Sequence, residues 1–503
     1  MLPPLTRTGR LVGRFERWLL GSMPPLSGRL RFVFYGGSLC LFAFLNDGLS
    51  FTLGEASPGL YQPRGITALL GVPYLSPGAM RGLMAVTYLA WLCAAVGLLT
   101  RPAKILTAVG LLLALGFEQA YEAGGTHAHY LLLYALVLLS YSTSDRDWSV
   151  DAWLRRRRGI TVEGEGGAAS TGGTGLPRTG LLILAVSFYC ASGLSKLIDA
   201  GPLWMDGQSL QHYIASQVDR TSFEIVTSLR IWVSGQRWLC LILSAVTLVI
   251  ELGSPVALFS RRLRHLWIAA WISMHLGIVV LMAPNYWIQS WCVGILLTDW
   301  AWLRRAWESR SLAAADRLRP GPPVVARLGV RAWVLVVALL SLAVLPPLVQ
   351  IEWFPVTHVP MYASYVTPDV VGGVPVGHFR DATAVRVLAR RCAGGRAVGY
   401  IRRCPWQVPR EIVGRVTLEL VRREGEPVRV SGDLGRLRYP VIEQLAAGSE
   451  QKTRTTAELV GHVQALLRAR PPHSLAGFER FRLEYQLNEG SILLAEGAVE
   501  ARP

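Results

Sequence analysis

The chain has 503 residues, 51% of them hydrophobic and only 17% charged, with a formal charge of +17. Soluble globular domains carry about a quarter charged residues, so this balance and the bunching of apolar residues into long runs exclude an ordinary soluble protein and point to a polytopic membrane protein. The positive charge does not point to nucleic acid: the arginines cluster at the ends of apolar runs, and no basic domain with interleaved aromatics stands apart from them.

Residues 1–28 are basic, with an apolar stretch too short for a signal-peptide core and no small-x-small cleavage site, and read as a cytoplasmic amphipathic lead-in. About nine segments are then predicted to span a bilayer, each needing roughly 17–25 largely apolar residues. They run over 30–51, 80–100, 103–121, 127–143, 180–199, 237–259, 264–283, 285–303 and 331–350. The basic clusters at 1–31, Arg101 and Lys104, 155–158, 260–264 and 304–331 all fall on one side if the N-terminus is cytoplasmic and every segment crosses. This topology places a transmembrane domain at 29–303, a flexible Gly/Thr/Ser-rich cytoplasmic linker at about 144–178 and a second, arginine-rich linker at 304–330. The last helix follows at 331–350.

Beyond 351 the composition becomes that of a water-soluble module, predicted to be an extracytoplasmic α+β domain over 351–503. "RVTLELVRREGEPVRVSGD" alternates like a hairpin, "TTAELVGHVQALLRA" has helical spacing, and "FRLEYQLNEGSILLAEGAVEA" reads as a second hairpin. The predicted fold is therefore mainly α, a transmembrane bundle followed by a small α+β domain. Cys392 and Cys404 in the tail would face an oxidising compartment and are candidates for a disulfide. Cys40, Cys93, Cys190, Cys240 and Cys292 lie in apolar runs and read as small core residues. No Cys/His spacing suits a metal, and no nucleotide-binding, zinc-protease or serine-hydrolase motif occurs in a credible context.

Polar groups inside the apolar runs carry the information, because a charge at the bilayer centre costs about 2.5–3.5 kcal/mol. They are Asp47, Glu118, Lys196, Glu251 and His275, with His127 and His129 at the outer end of the fourth segment. Lys196 reads either as a lysine snorkelling to the headgroups or as a buried amine kept for chemistry. Before it, "ASGLS" is a run of small residues suited to close helix packing. After it, "PLWMDGQSLQHY" returns to a semi-apolar pattern, as though covering a cavity. Desolvation there would favour the neutral amine, a base. Glu251 and His275 alone read as hydrogen-bond links between helices.

The stretches around "DWSVDAWL" (147–154), "GLSKLIDAGPLWMDGQS" (193–209) and "SMHLGIVV" (273–280) together resemble the vitamin K-dependent γ-carboxylases and the wider horizontally transferred transmembrane (HTTM) superfamily. "HYLLLYALVLLSYSTSDRDWSVDAWL" resembles their region ending in Trp-Ser-Val-Asp. "VSFYCASGLSKLIDAGPLWMDGQSLQHY" is similar to their Lys-Lys-Leu segment followed by Trp-x-x-Gly-x-Ser, and "WISMHLGIVVLMAPNYWIQSWCVGILL" to a third, histidine-containing segment. "EWFPVTHVPMYASY" after the last predicted span is also typical of bacterial members, so the resemblance covers roughly 29–365.

The resemblance implies a bacterial inner-membrane enzyme that couples oxidation of a reduced vitamin K- or menaquinone-type quinol, with O2 and CO2 as co-substrates and no metal, to carboxylation of glutamate in a secreted or periplasmic peptide. It implies Lys196 as the base that deprotonates the quinol, and His129 or His127 as oxyanion stabiliser. Trp204, Gly207, Ser209, Glu251 and His275 would form the quinone pocket. Two departures stand out: Ser195 falls on the first lysine of the family's pair, and an ungapped alignment puts Ala128, between the two histidines, at its functional histidine. The tail is also much smaller than the region that grips substrate in animal carboxylases. The alternative is a non-carboxylating HTTM protein that matures or exports a secreted peptide, or protects against one.

Overall fold

The computed structural model describes residues 7–45, 66–121, 127–144, 147–159, 175–215, 223–282, 286–309, 416–422, 427–430, 451–468, 477–487 and 490–499, with isolated positions between them. The described chain is mainly helical. Its helices are α1 (Arg7–Gly21), α2 (Gly28–Leu45), α3 (Pro77–Val96), α4 (Thr100–Tyr121), α5 (His127–Ser140), α6 (Val150–Arg157) and α7 (Leu176–Ala200). They continue as α8 (Gln208–Ala215), α9 (Glu224–Gly235), α10 (Arg237–Leu252), α11 (Arg261–Met282), α12 (Trp287–Leu297) and α13 (Trp300–Ser309).

Four of these are long and apolar enough to cross a membrane: Pro77–Val96, Thr100–Phe117, Leu176–Ile198 and Arg261–Met282. Helices α9 and α10 make a fifth if counted as one span, broken by a 93° bend. The sequence pattern predicts more because apolar runs continue through residues that are not helical. The run at 285–303 holds only the 11-residue α12 before Thr298, and that at 237–259 leaves the helix at Leu252 for the 3-10 turn Ser254–Leu258. At 1.5 Å per residue the 14-residue α5 is about 21 Å long, short of a hydrocarbon core about 30 Å thick. The first predicted span appears as the 18-residue α2, with Arg29 and Arg31 in its first turn. The predicted span at 331–350 falls almost wholly outside the described residues, as do Asp47, Cys392, Cys404 and the side chains of Glu118 and His127.

The main core joins α2–α5, α7, α11 and α12. Helix α4 packs between α3 and α5, α5 lies along α7, and α12 touches α2, α5 and α7. Trp91, Tyr130, Leu131, Leu182, Trp271 and Val293 are buried in it. Outward faces stay apolar, as at Val86, Leu89 and Leu92 on α3 and Ile105, Leu106 and Val109 on α4. Apolar surface on that scale suits lipid rather than water, and the helices mark an integral membrane protein.

Buried cations hold one end of the bundle. Arg31 donates to the carbonyls of Ser144 (2.9 Å) and Trp148 (2.6 Å), and Lys104 to the carbonyl of Ser142 (2.6 Å). Asp147 accepts from the Gly28 amide, and Asp151 from the Leu99 and Thr100 amides and the Thr100 hydroxyl. Arg178 closes the C-terminal end of α12 by donating to the carbonyls of Leu296 and Thr298, and reaches the Pro24 carbonyl. The stretch ending in Trp-Ser-Val-Asp is thus a structural knot that ties α2, α4 and α6 together.

Near the C-terminus, strands β1 (Val416–Arg422), β2 (Val428–Val430), β3 (Phe478–Leu487) and β4 (Gly490–Ala498) form an antiparallel sheet in the order β2-β1-β3-β4. Both predicted hairpins are present, and α14 (Lys452–Arg468) packs on β4. Val416, Leu418 and Leu420 alternate inward toward a core with Phe481, Leu483 and Leu459.

Candidate functional site

Helix α7 starts with Pro177 in its first turn and runs 25 residues, about 37 Å. Tyr189, Ser192, Gly193 and Lys196 recur at helical spacing and share one face. That face meets α10, whose last turn carries Glu251. Gly193 lets the helices approach: a Cβ there would lie 3.0 Å from both the Glu251 Cβ and the Leu252 side chain. The end of α10 is finished by Ser254, whose hydroxyl donates to the carbonyls of Glu251 and Ile250, and by Trp267, whose indole N–H donates to Ile250 (3.1 Å). Glu251 is therefore held from behind as well as in front.

The contact produces a closed polar cluster. Lys196 Nζ donates to Glu251 Oε1 at 2.8 Å and to Ser192 Oγ at 2.8 Å, and the Ser192 hydroxyl donates to the same Oε1 at 3.0 Å. The Lys196 and Glu251 side chains are 4% and 5% exposed. A snorkelling lysine would show its amine to solvent; this amine is turned inward, onto a carboxylate. Glu251 Oε2 is buried and, among the described residues, accepts no hydrogen bond.

The segment after α7 folds back over the cluster. The turn Gly201–Asp206 carries Trp204, buried, with its ring 5.3 Å from Lys196 Nζ, within cation–π range. Gly207 has φ +83°, and a Cβ there would meet the Leu241 amide nitrogen at 2.6 Å, so only glycine lets this turn lie against α10. Asp206 accepts from the Gln208 amide at 2.8 Å to start α8, and Ser209 is fully buried there.

The other predicted site residues lie apart from the amine. His275 sits on α11, its Nε2 3.2 Å from the Tyr189 hydroxyl and its Nδ1 3.3 Å from Ser290 Oγ, with its ring stacked on Tyr286. Tyr189 stacks on Trp271 and belongs to the same face of α7 as Lys196, about 10 Å along the helix. His129 is buried on α5 and meets the Phe42 ring edge-on. Because Asp147 holds Gly28 and Arg178 reaches Pro24, the end of α5 and the start of α7 share one end of the bundle. His129 and Lys196 accordingly both lie toward the other end.

Sequence reasoning missed Ser192 and Tyr189, although their spacing of four and seven residues before Lys196 marks them as neighbours on its face. It also missed α9, whose middle holds the buried Arg230, donating to the Val280 carbonyl at 2.8 Å. Among the described residues no three His, Cys, Asp or Glu side chains group as a metal site. No family model, curated protein or solved structure matches the chain.

Proposed function

We propose that this chain is an HTTM-type integral membrane enzyme that deprotonates a reduced vitamin K- or menaquinone-type quinol at the Lys196–Glu251 pair and carboxylates glutamate in a secreted or periplasmic peptide. The single observation that carries this reading is the inward-facing amine: Lys196 is buried against Glu251 and Ser192 under the Trp204 ring. A charged pair inside a membrane helix bundle is costly to keep and most often serves substrate or proton handling. The indole face of Trp204 and the surrounding apolar helices suit a flat, lipid-soluble ring entering from the bilayer. A carboxylate oxygen without a hydrogen-bond donor suits a ligand that brings a hydroxyl.

In this reading the quinol, once deprotonated, supplies with O2 the strong base that removes a γ-proton from the peptide glutamate before CO2 adds. The chain's own residues bind the ring, accept the first proton and keep water out. His129, buried on α5 and toward the same end of the bundle, is the histidine we assign to oxyanion stabilisation. Read over the nine predicted spans, the arginine clusters favour a cytoplasmic N-terminus in a bacterial inner membrane and a C-terminal sheet outside, where a peptide substrate would meet it.

The alternative, a non-carboxylating HTTM protein acting on a secreted peptide by maturation, export or protection, draws support from the same pair, since a lysine paired with Glu251 also serves as a purely structural link. The experiment that separates the two uses purified protein in detergent with reduced menaquinone, labelled bicarbonate and a glutamate-rich peptide. Labelled peptide and quinone epoxide, both lost in Lys196→Ala, are the expected result. Absence of both products with every quinol tried would overturn the carboxylase reading.

A further inference from the structure

We infer that the knot around α6 is a headgroup site for an anionic phospholipid, in the leaflet that this end of the bundle reaches. Among the described residues only two other than glycine have a left-handed backbone, Leu99 (φ 45°) and Trp148 (φ 46°). Both belong to this knot. Such a conformation is costly for a bulky residue and persists only where the surroundings enforce it. Here they do: the Leu99 amide donates to Asp151 Oδ1 at 2.9 Å, and the Trp148 carbonyl accepts from Arg31 at 2.6 Å. The strain leaves two large apolar side chains facing outward, Leu99 65% and Trp148 59% exposed. Trp153, on α6, is exposed as well.

Their place along the bundle says what covers them. The Asp151 amide donates to the Gly97 carbonyl at the end of α3, and the Asp151 carboxylate accepts from the Thr100 amide and hydroxyl at the start of α4. Both helices are long and apolar enough to cross a membrane, and their outward faces are apolar. Leu99, Trp148 and Trp153 therefore stand where two spans end, at the headgroup level where tryptophan is enriched. Charge identifies the headgroup. The Arg29 guanidinium lies 4.9 Å from the centre of the Trp148 ring, and that of Arg157 lies 4.1 Å from the Trp153 ring. Arg156 and Arg158 are exposed on either side of Arg157. The carboxylates of the knot are turned inward, Asp147 onto the Gly28 amide and Asp151 onto Leu99 and Thr100, where Asp151 also meets the charge of Arg155. A phosphodiester accepts the paired N–H donors of a guanidinium, and acyl chains below it continue the apolar faces of α3 and α4. A soluble phosphate would leave Leu99 and both indoles in water. Such a site does not depend on what chemistry the Lys196 pair performs.

The test titrates the full chain in detergent with phosphatidylglycerol or phosphatidylcholine and counts bound lipids by native mass spectrometry. An arginine near a membrane surface favours anionic lipid by about fivefold. The wild type is therefore expected to bind its first phosphatidylglycerol about tenfold or more tightly than phosphatidylcholine. Arg29→Gln with Arg157→Gln should bring the two affinities close together. Arg156→Gln with Arg158→Gln, at the exposed end of α6, should lower the ratio in the same direction and serves where the first pair does not fold. Arg81→Gln with Arg237→Gln removes the same charge from exposed positions outside the knot and should leave the ratio unchanged. Trp148→Leu with Trp153→Leu should weaken both lipids while the arginines keep their choice between them. Equal wild-type affinity for the two lipids, or a ratio that survives both arginine pairs in the knot, would overturn the site. So would a ratio lost equally in the Arg81/Arg237 variant, which would mean diffuse charge, or displacement of the lipid by glycerol 3-phosphate, which would mean a soluble-phosphate site.

Discussion

Lys196 and Glu251 are 55 residues apart in the chain, yet their charged atoms lie 2.8 Å apart between two helices, with the side chains 4% and 5% exposed. Removing one partner of such a pair strands the other's charge in the interior and costs about 3–5 kcal/mol, whereas replacing both with apolar groups is often close to neutral. Lys196→Met and Glu251→Leu are therefore expected to destabilise the protein strongly when made singly. The double variant should lose much less than their sum. Unfolding in mixed micelles measures all four corners of the cycle. Additivity within about 0.5 kcal/mol would mean that the two groups do not interact.

The approach that makes this pair depends on glycine. A Cβ on Gly193 would press on the Glu251 Cβ, and one on Gly207 on the backbone of α10. Gly193→Ala is expected to cost about 1–3 kcal/mol by overpacking. Gly207→Ala should cost at least as much, because its φ of +83° adds strain of its own. Gly277 on α11 has nothing within 4 Å of the added carbon, so Gly277→Ala is expected to be neutral or to stabilise by up to about 1 kcal/mol. Melting temperatures in one detergent give the comparison, and equal losses at all three positions would deny the packing role.

These glycines also show how far the sequence could be read. The small residues ahead of Lys196 indicate a close helix contact, and Gly193 makes it. The semi-apolar stretch after Lys196 reads as a cover, and Trp204 lies over the amine. What could not be read is the partner. Glu251 and His275 look alike as isolated polar residues in apolar runs. Only the crossing of α7 with α10 puts the first on Lys196, while the second meets Tyr189 and Ser290. Among the described residues hydropathy also marks more spans than there are helices long and apolar enough to cross, because it does not register the backbone breaks at Gly253 and Thr298. Helix α9 escapes the pattern for another reason: Arg230 interrupts its apolar run, and the burial of Arg230 against the Val280 carbonyl is a tertiary fact.

Asp151 gives a pH dependence with a definite sign. Partial burial raises its carboxyl, but the hydrogen bonds from Thr100 and Leu99, together with the charge of Arg155, outweigh this and hold it below the ordinary aspartate value. A folded-state value below the unfolded one means stability that is present above about pH 3.9 and is lost as pH falls through the folded value. Asp151→Ala, which removes the acceptor at the start of α4, is expected to cost about 0.5–2 kcal/mol at neutral pH, as for other helix caps. The gap between wild type and Asp151→Ala should close as the pH is lowered below the ordinary aspartate range. Stability curves at several pH values check this; a gap that does not change on acidification would mean that the carboxylate charge plays no part in the cap.

Ser192 distinguishes a link that aligns the pair from a group that handles the proton itself. Its hydroxyl accepts from Lys196 and donates to Glu251 Oε1, so it fixes the angle of the pair, while the direct 2.8 Å contact does not depend on it. Ser192→Ala is expected to cost about 1 kcal/mol of stability, the usual net value of one hydrogen bond. Under the proposed quinol reading, its deprotonation rate should fall by about tenfold, against about 10²–10⁴-fold for loss of the general base itself. Ser192→Thr keeps the hydroxyl and should recover most of the rate. A Ser192→Ala loss as deep as that of Lys196→Ala would place the serine hydroxyl in the proton path of the proposed reaction, because a side chain that only aligns the pair cannot cost as much as the group that takes the proton.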